Sequence, residues 1–136
     1  MQESLEAHYR ATSYVVEVGT APVVIRIGEA SPALDRLLGD LHAGSFAFIT
    51  AWNPGSIREP DDVNNARNGE LRERIAAMGH AVLQGEGRAD SGLWAPERSF
   101  FVPDIPLEDV VALARRFAQR AIVFGRRGEA PELVWC

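Results

Sequence analysis

The chain has 136 residues, 46% hydrophobic and 24% charged, with a net charge of -5 and a pI near 5.2. These are the proportions of one ordinary globular domain long enough to bury a core, and they exclude a disordered chain, a collagen-like repeat and a coiled coil. The acidic balance argues against nucleic-acid binding, which depends on clustered Lys and Arg, and no apolar run approaches the length of a membrane span.

Taken in order, residues 1–8 read as a loose lead-in, with acidic side chains where a signal peptide needs basic ones. Together with a single cysteine, Cys136, which excludes an internal disulfide, they suit a cytoplasmic protein. The β-branched runs 14–18 and 23–28, joined by Gly19-Thr20-Ala21-Pro22, predict an antiparallel strand pair. Ser31-Pro32 then supplies an N-cap and a proline at the first helical position, and Leu34, Leu37, Leu38 and Leu41 repeat at helical spacing. Gly44 ends that helix, and the apolar run 45–52 predicts a strand buried on both faces that delivers the polar loop Asn53-Pro54-Gly55-Ser56.

Pro60-Asp61-Asp62 opens a second helix ending at Met78-Gly79. Leu71, Ile75 and Met78 define its inner stripe, which turns polar at Asn64 and Arg67. A short strand at 81–83, a long loop at 85–98 and a strand at 99–102 follow. Asp104-Ile105-Pro106 starts a third helix, acidic at its beginning and basic at its end, as the helix dipole favours. Strands at 121–125 and 132–135, paired across Arg126-Arg127-Gly128, finish the chain. The expected fold class is α/β (mixed α+β): one mixed sheet of six or seven strands with three helices in a single-domain sandwich.

Strand directions follow if helical crossovers join parallel strands and direct loops join antiparallel ones. Gly28, residues 50–56, residues 85–88, Glu97, Ser99, Gln119 and the start of the second helix then meet at one edge of the sheet. The expected ligand set is Thr50, Trp52, Asn53, Ser56, Asn64, Arg67, Arg88, Trp94 and Gln119, with Glu97 as general acid or base. Arg67 and Arg88 could grip a carboxylate or phosphate at two points, and the indoles could cover a planar ligand. Competing structural roles are an ion pair from Arg67 to Glu97 or Glu86, a turn at Asn53-Pro54, and core packing for the tryptophans. Gly85-Glu86-Gly87-Arg88 lacks the ending of a phosphate loop, and His8, His42 and His80 lack partners at metal spacing, so neither a cofactor nor a metal is expected.

The run Phe48-Ile49-Thr50-Ala51-Trp52-Asn53-Pro54-x-Ser56, with Asn64-x-x-Arg67, Gly85-x-Gly87, Glu97-x-Ser99-Phe100 and Phe117-x-Gln119-x-Ala121, resembles the bacterial domain family of unknown function DUF3293. The likeness runs from about Tyr9 to Cys136. Family members often have proline after the glutamate of the fourth segment, where this chain has Arg98. The resemblance implies a small stand-alone cytoplasmic protein and assigns no catalytic residue.

Two functions compete. The first is a pocket for a small polar or anionic molecule, extended to an enzyme in which Glu97 moves a proton. The second is a non-catalytic interaction module using Trp52, Trp94 and the 85–98 loop. The oligomeric state does not follow from the sequence.

Overall fold

A computed structural model describes residues 2–136, with side chains from Ser4 onward. The order is α1 (Gln2–Arg10), β1 (Thr12–Val16), β2 (Val23–Ile25), α2 (Pro32–Asp40), β3 (Ser45–Ile49), a tight turn (Pro54–Ser56), α3 (Asp61–Ala77), β4 (Leu83–Ala89), β5 (Glu97–Pro103), α4 (Leu107–Arg116), β6 (Ala121–Arg126) and β7 (Glu132–Trp135). The expected α+β class is found, with four helices rather than three. Residues 1–8 were expected to be loose; among those described, 2–8 belong to α1, helped by an Arg10–Glu6 pair one turn apart at 3.1 Å.

The seven strands form one sheet in the order β2-β1-β4-β5-β3-β6-β7. Every neighbouring pair is antiparallel, so the sheet is not mixed. The expected directions nonetheless hold: β2, β3 and β4 run the same way and β5 returns, because each crossover skips at least one strand that runs oppositely. The outer strands approach each other, with the Gly28 N–H donating to the Pro131 carbonyl at 2.8 Å just beyond β2 and just before β7. The sheet therefore curls and has a concave face.

Side-chain alternation separates two cores. On one face Ala47, Ile49, Phe100, Val102, Ile122 and Phe124 pack with Leu71 and Ile75 of α3 and with Val110 and Ala114 of α4. On the concave face Phe46, Phe48, Phe101 and Val123 pack with Leu34, Leu37 and Leu38 of α2, while Tyr9 of α1 joins at the margin. Ser31 caps α2 as expected, its Oγ accepting from the Leu34 N–H at 3.2 Å. Met78 departs from the expected stripe: it lies at the C-cap of α3 and is 40% exposed.

Candidate functional site

Strand β4 is longer than expected and shapes the site. The 85–98 segment is a loop by the sequence reading, yet residues 83–89 form a strand, with 85–89 paired to β1 and 83–87 to β5, leaving 90–96 as the connection. Gly85 and Gly87 both face the concave side. Gly85 stands opposite Val16 and Ser99, and Gly87 opposite Tyr14 and Glu97. At Gly85 a Cβ would meet the Val15 carbonyl oxygen at 2.6 Å and the Phe48 ring at 2.9 Å, so that gap is filled by Phe48. At Gly87 the nearest atoms are Thr12 Cγ2 at 3.7 Å and the Tyr14 ring at 3.9 Å. One gap is full and the other is open.

Above Gly87 lies a cavity of about 340 Å³, within the usual range for small-molecule sites. Its floor comes from Thr12, Tyr14, Gly87 and Glu97, and its roof from Leu5, His8 and Tyr9 of α1. Trp94 closes one side against α1, its ring meeting His8 edge-on at 5.9 Å. Helix α1 is tied to the floor by the Tyr14 hydroxyl, which donates to the Tyr9 carbonyl at 3.0 Å, and by the Thr12 hydroxyl, which donates to the His8 carbonyl at 2.7 Å.

The remaining wall is the loop after β3. Asn53 (φ 47°), Gly55 (φ 65°) and Ser56 (φ 63°) all adopt left-handed backbone, as does Ala118 (φ 55°) in the facing turn after α4. Two of the five non-glycine residues with positive φ among the described residues, Asn53 and Ser56, thus line the cavity, and a third, Ala118, precedes the lining residue Gln119. Such conformations cost of order 1–3 kcal/mol each and persist only where neighbours enforce them. The enforcing contacts are specific. Asn64, fully buried on α3, accepts from the Asn53 N–H at 2.8 Å and donates to Asn53 Oδ1 at 2.8 Å and the Glu59 carbonyl at 3.2 Å. One turn later Asn68 accepts from the Ala51 N–H at 2.8 Å and donates to the Arg98 carbonyl at 2.9 Å. The Gly55 N–H donates to the Ala118 carbonyl at 2.7 Å, and Gln119 Nε2 donates to the Trp52 carbonyl at 3.2 Å.

The structure brings Thr50, Trp52, Asn53, Ser56, Trp94, Glu97 and Gln119 to the cavity and leaves Asn64, Arg67 and Arg88 outside it. Asn64 braces the loop from behind. Arg67 lies on the other face of the sheet, 5.9 Å from the Phe117 ring centroid, where its Nη2 donates to the Phe117 carbonyl at 3.4 Å and its buried Nε has no partner. The competing structural role for Arg67, an ion pair to Glu97 or Glu86, is not found either. Arg88 points away from Gly87 and pairs with Glu86. The turn expected at Asn53-Pro54 is present, and Asn53 also lines the cavity; Trp52 is 9% exposed, whereas Trp94 is 56% exposed.

Glu97 is the carboxylate of the site. It has no cationic partner among the described residues, and its side chain accepts one long hydrogen bond, 3.5 Å from Asn53 Nδ2. Burial raises its pKa above the usual glutamate value, opposed by that hydrogen bond. Tyr9 is likewise raised, first by burial and then by the charge of Glu97. Tyr14 is raised by burial, with Tyr9 and Glu97 adding to the shift. The residues missed from sequence are those of α1 and β1: Leu5, His8 and Tyr9 stand at i, i+3 and i+4, one face of a helix, and that spacing was the available signal.

Fold and cavity together define an α+β protein with a curled antiparallel sheet, hollow under its N-terminal helix. No group of three or more His, Cys, Asp or Glu residues able to hold a metal occurs among the described residues, and no helix among them is long and apolar enough to cross a membrane. The family described as "Protein of unknown function (DUF3293)" matches residues 49–122, more than half of the chain, and the chain belongs to it. That match runs from the last residue of β3 to the start of β6, including the strained loop, Asn64 and Asn68 of α3, and Glu97. No curated protein and no solved structure matches the chain.

Proposed function

We propose that the chain binds a small polar molecule in the cavity beneath α1, with Glu97 as the ionisable group that meets it. One observation carries this reading: a half-buried carboxylate faces a cavity with no counter-ion among the described residues and with most of its accepting capacity unused. Buried carboxylates are normally paired or fully hydrogen-bonded, and one left open to a cavity is placed to bind. Asn53, Ser56 and Gln119 add polar atoms around it, while the aromatic rings supply an apolar body. A carboxyl held above its usual range in such a place also suits proton transfer to or from a bound molecule, which is the enzymatic form of the proposal. The lone cysteine supports a reducing, cytoplasmic setting.

Of the two ligand classes expected from sequence, the geometry favours the polar over the anionic, because no arginine lines the cavity. The competing interaction module is left with little surface. Trp52 is buried and residues 85–89 are paired strand, so only Leu93 and Trp94 remain as large exposed apolar residues of that segment.

The test is a thermal-shift screen of wild type and Gly87→Leu against a broad metabolite library. Leucine at this position fills the cavity floor without removing a polar group. A ligand at about 100 times its Kd stabilises the folded state by about 2.7 kcal/mol. The proposal expects compounds that raise the melting midpoint of wild type and leave that of Gly87→Leu unchanged. A library in which every shift is equal in the two proteins, or in which none occurs, overturns it.

A further inference from the structure

The chemistry of the cavity walls narrows the ligand further than its size does. The chain has no lysine, so arginine must supply its strong side-chain cations. The arginines nearest the site are engaged elsewhere: Arg10 with Glu6, Arg26 with Asp90 at 2.8 Å, Arg88 with Glu86, and Arg120 with the Gly55 carbonyl at 3.2 Å. None lines the cavity, which leaves Glu97, among the described residues, as the one lining residue with a carboxylate and no guanidinium to balance it. A ligand carrying a carboxylate or phosphate would place like charge beside an unscreened carboxylate.

The walls also carry the rings of Tyr9, Tyr14, Trp52 and Trp94. An aromatic face bears the negative part of a quadrupole and attracts a cation, most strongly where water is excluded, and tryptophan and tyrosine are the best such surfaces. Trp94 is half-exposed at the mouth, and Trp52 is buried in the wall. A carboxylate without a guanidinium partner, in a cavity that also carries electron-rich rings and apolar area, suits a cation on an apolar body.

We propose that the cavity takes an organic cation, a primary amine or quaternary ammonium group on a small apolar or aromatic body, held by Glu97 and the surrounding rings. The proposal rests on reading the cavity as a ligand site, and adds the sign of the ligand's charge. His8 is the other ionisable lining group among the described residues besides the tyrosines; it is exposed, its ring packs T-shaped against Trp94 at 5.9 Å, and it forms no ion pair with Glu97.

The experiment compares matched probes by calorimetric titration: choline against its uncharged carbon isostere dimethylbutanol, and phenethylamine against phenethyl alcohol and phenylacetate. Wild type is expected to bind at least one cation about tenfold or more tightly than its uncharged partner, and not to bind phenylacetate; a tenfold preference corresponds to about 1.4 kcal/mol. Glu97→Gln should bring cation and isostere to parity, and Trp94→Ala, which alters a half-exposed ring, should weaken the cations severalfold. If Glu97→Gln does not fold, Trp94→Ala carries the test alone. Equal binding of charged and uncharged partners by wild type, a preference that survives both substitutions, or failure of both cations to bind overturns the inference. The two readings fail separately: a metabolite blocked by Gly87→Leu while neither cation binds leaves the pocket standing and removes only the cation.

Discussion

Two glycines two residues apart on β4 face the same side of the same sheet and do opposite things. Gly85 is a point of contact, where the Phe48 ring and the Val15 carbonyl come too close for any side chain. Gly87 is a gap, with only ordinary contacts to Thr12 and Tyr14 and a cavity above. The part of the concave face near Gly85 closes because α2 and the phenylalanines of β3 and β5 fill it. The part near Gly87 stays hollow because its cover, α1, is held at its end by Tyr14 and Thr12 and stands off the floor. A missing side chain makes a site only where nothing else occupies the space.

Substitutions can break or sharpen this contrast. The largest effect is expected from Gly85→Ala: its Cβ meets a backbone oxygen that cannot swing aside, and overpacking of this kind costs about 2–3 kcal/mol. Urea unfolding measures it, and a variant as stable as wild type would mean that Gly85 is not a contact point. Next is Asn68→Ala, which strips the Ala51 N–H of its acceptor in a buried setting and should cost about 2 kcal/mol by the same method.

Gly87→Leu should change stability by about 1 kcal/mol or less, since a strand position with room gains packing as it loses the hollow. A cost as large as that of Gly85→Ala would erase the distinction between the two positions. The smallest effect is that of Glu97→Gln, and its sign depends on pH. Burial raises the folded-state pKa of Glu97, so the protonated form favours folding and ionisation opposes it. That favourable contribution is complete below the ordinary glutamate value and is lost as pH rises through the raised one. Glu97→Gln should therefore unfold at a higher temperature than wild type at neutral pH, and the difference should vanish in acid. His8, Tyr9 and Tyr14 line the same cavity, and the tyrosines stay neutral across that range because their own pKa values are raised. A Glu97→Gln midpoint below that of wild type at neutral pH would mean that the carboxylate has a stabilising partner.

Much of the site was legible because local chemistry carried it. The run from Phe48 to Ser56 combines an apolar strand with a proline, a glycine and hydrogen-bonding side chains, and it does form one wall. Strand and helix directions put Glu97 and Gln119 at the same edge, and the strand directions hold although no two neighbouring strands are parallel. Arg67 was read as inward-facing and is, but inward on α3 means toward the core opposite the cavity. Arg88 falls at the edge if residues 85–98 are a loop after a strand at 81–83, whereas two-strand pairing holds residues 85–87 extended and alternation turns Arg88 away. The N-terminal helix escaped notice because its nine residues are mostly polar and its short apolar face has meaning only over the hollow it covers.

The sequence by itself determined the helices with strong caps and apolar stripes, the buried central strand, the sense of each strand and the kinks of the polar loop, because each depends on residues close together in the chain. Only the tertiary structure decided which face of the sheet each helix covers, that one glycine gap is filled and the other empty, and that Glu97 is left without a counter-ion among the described residues. Those outcomes depend on register and curl across all seven strands, where a shift of one residue exchanges the two faces.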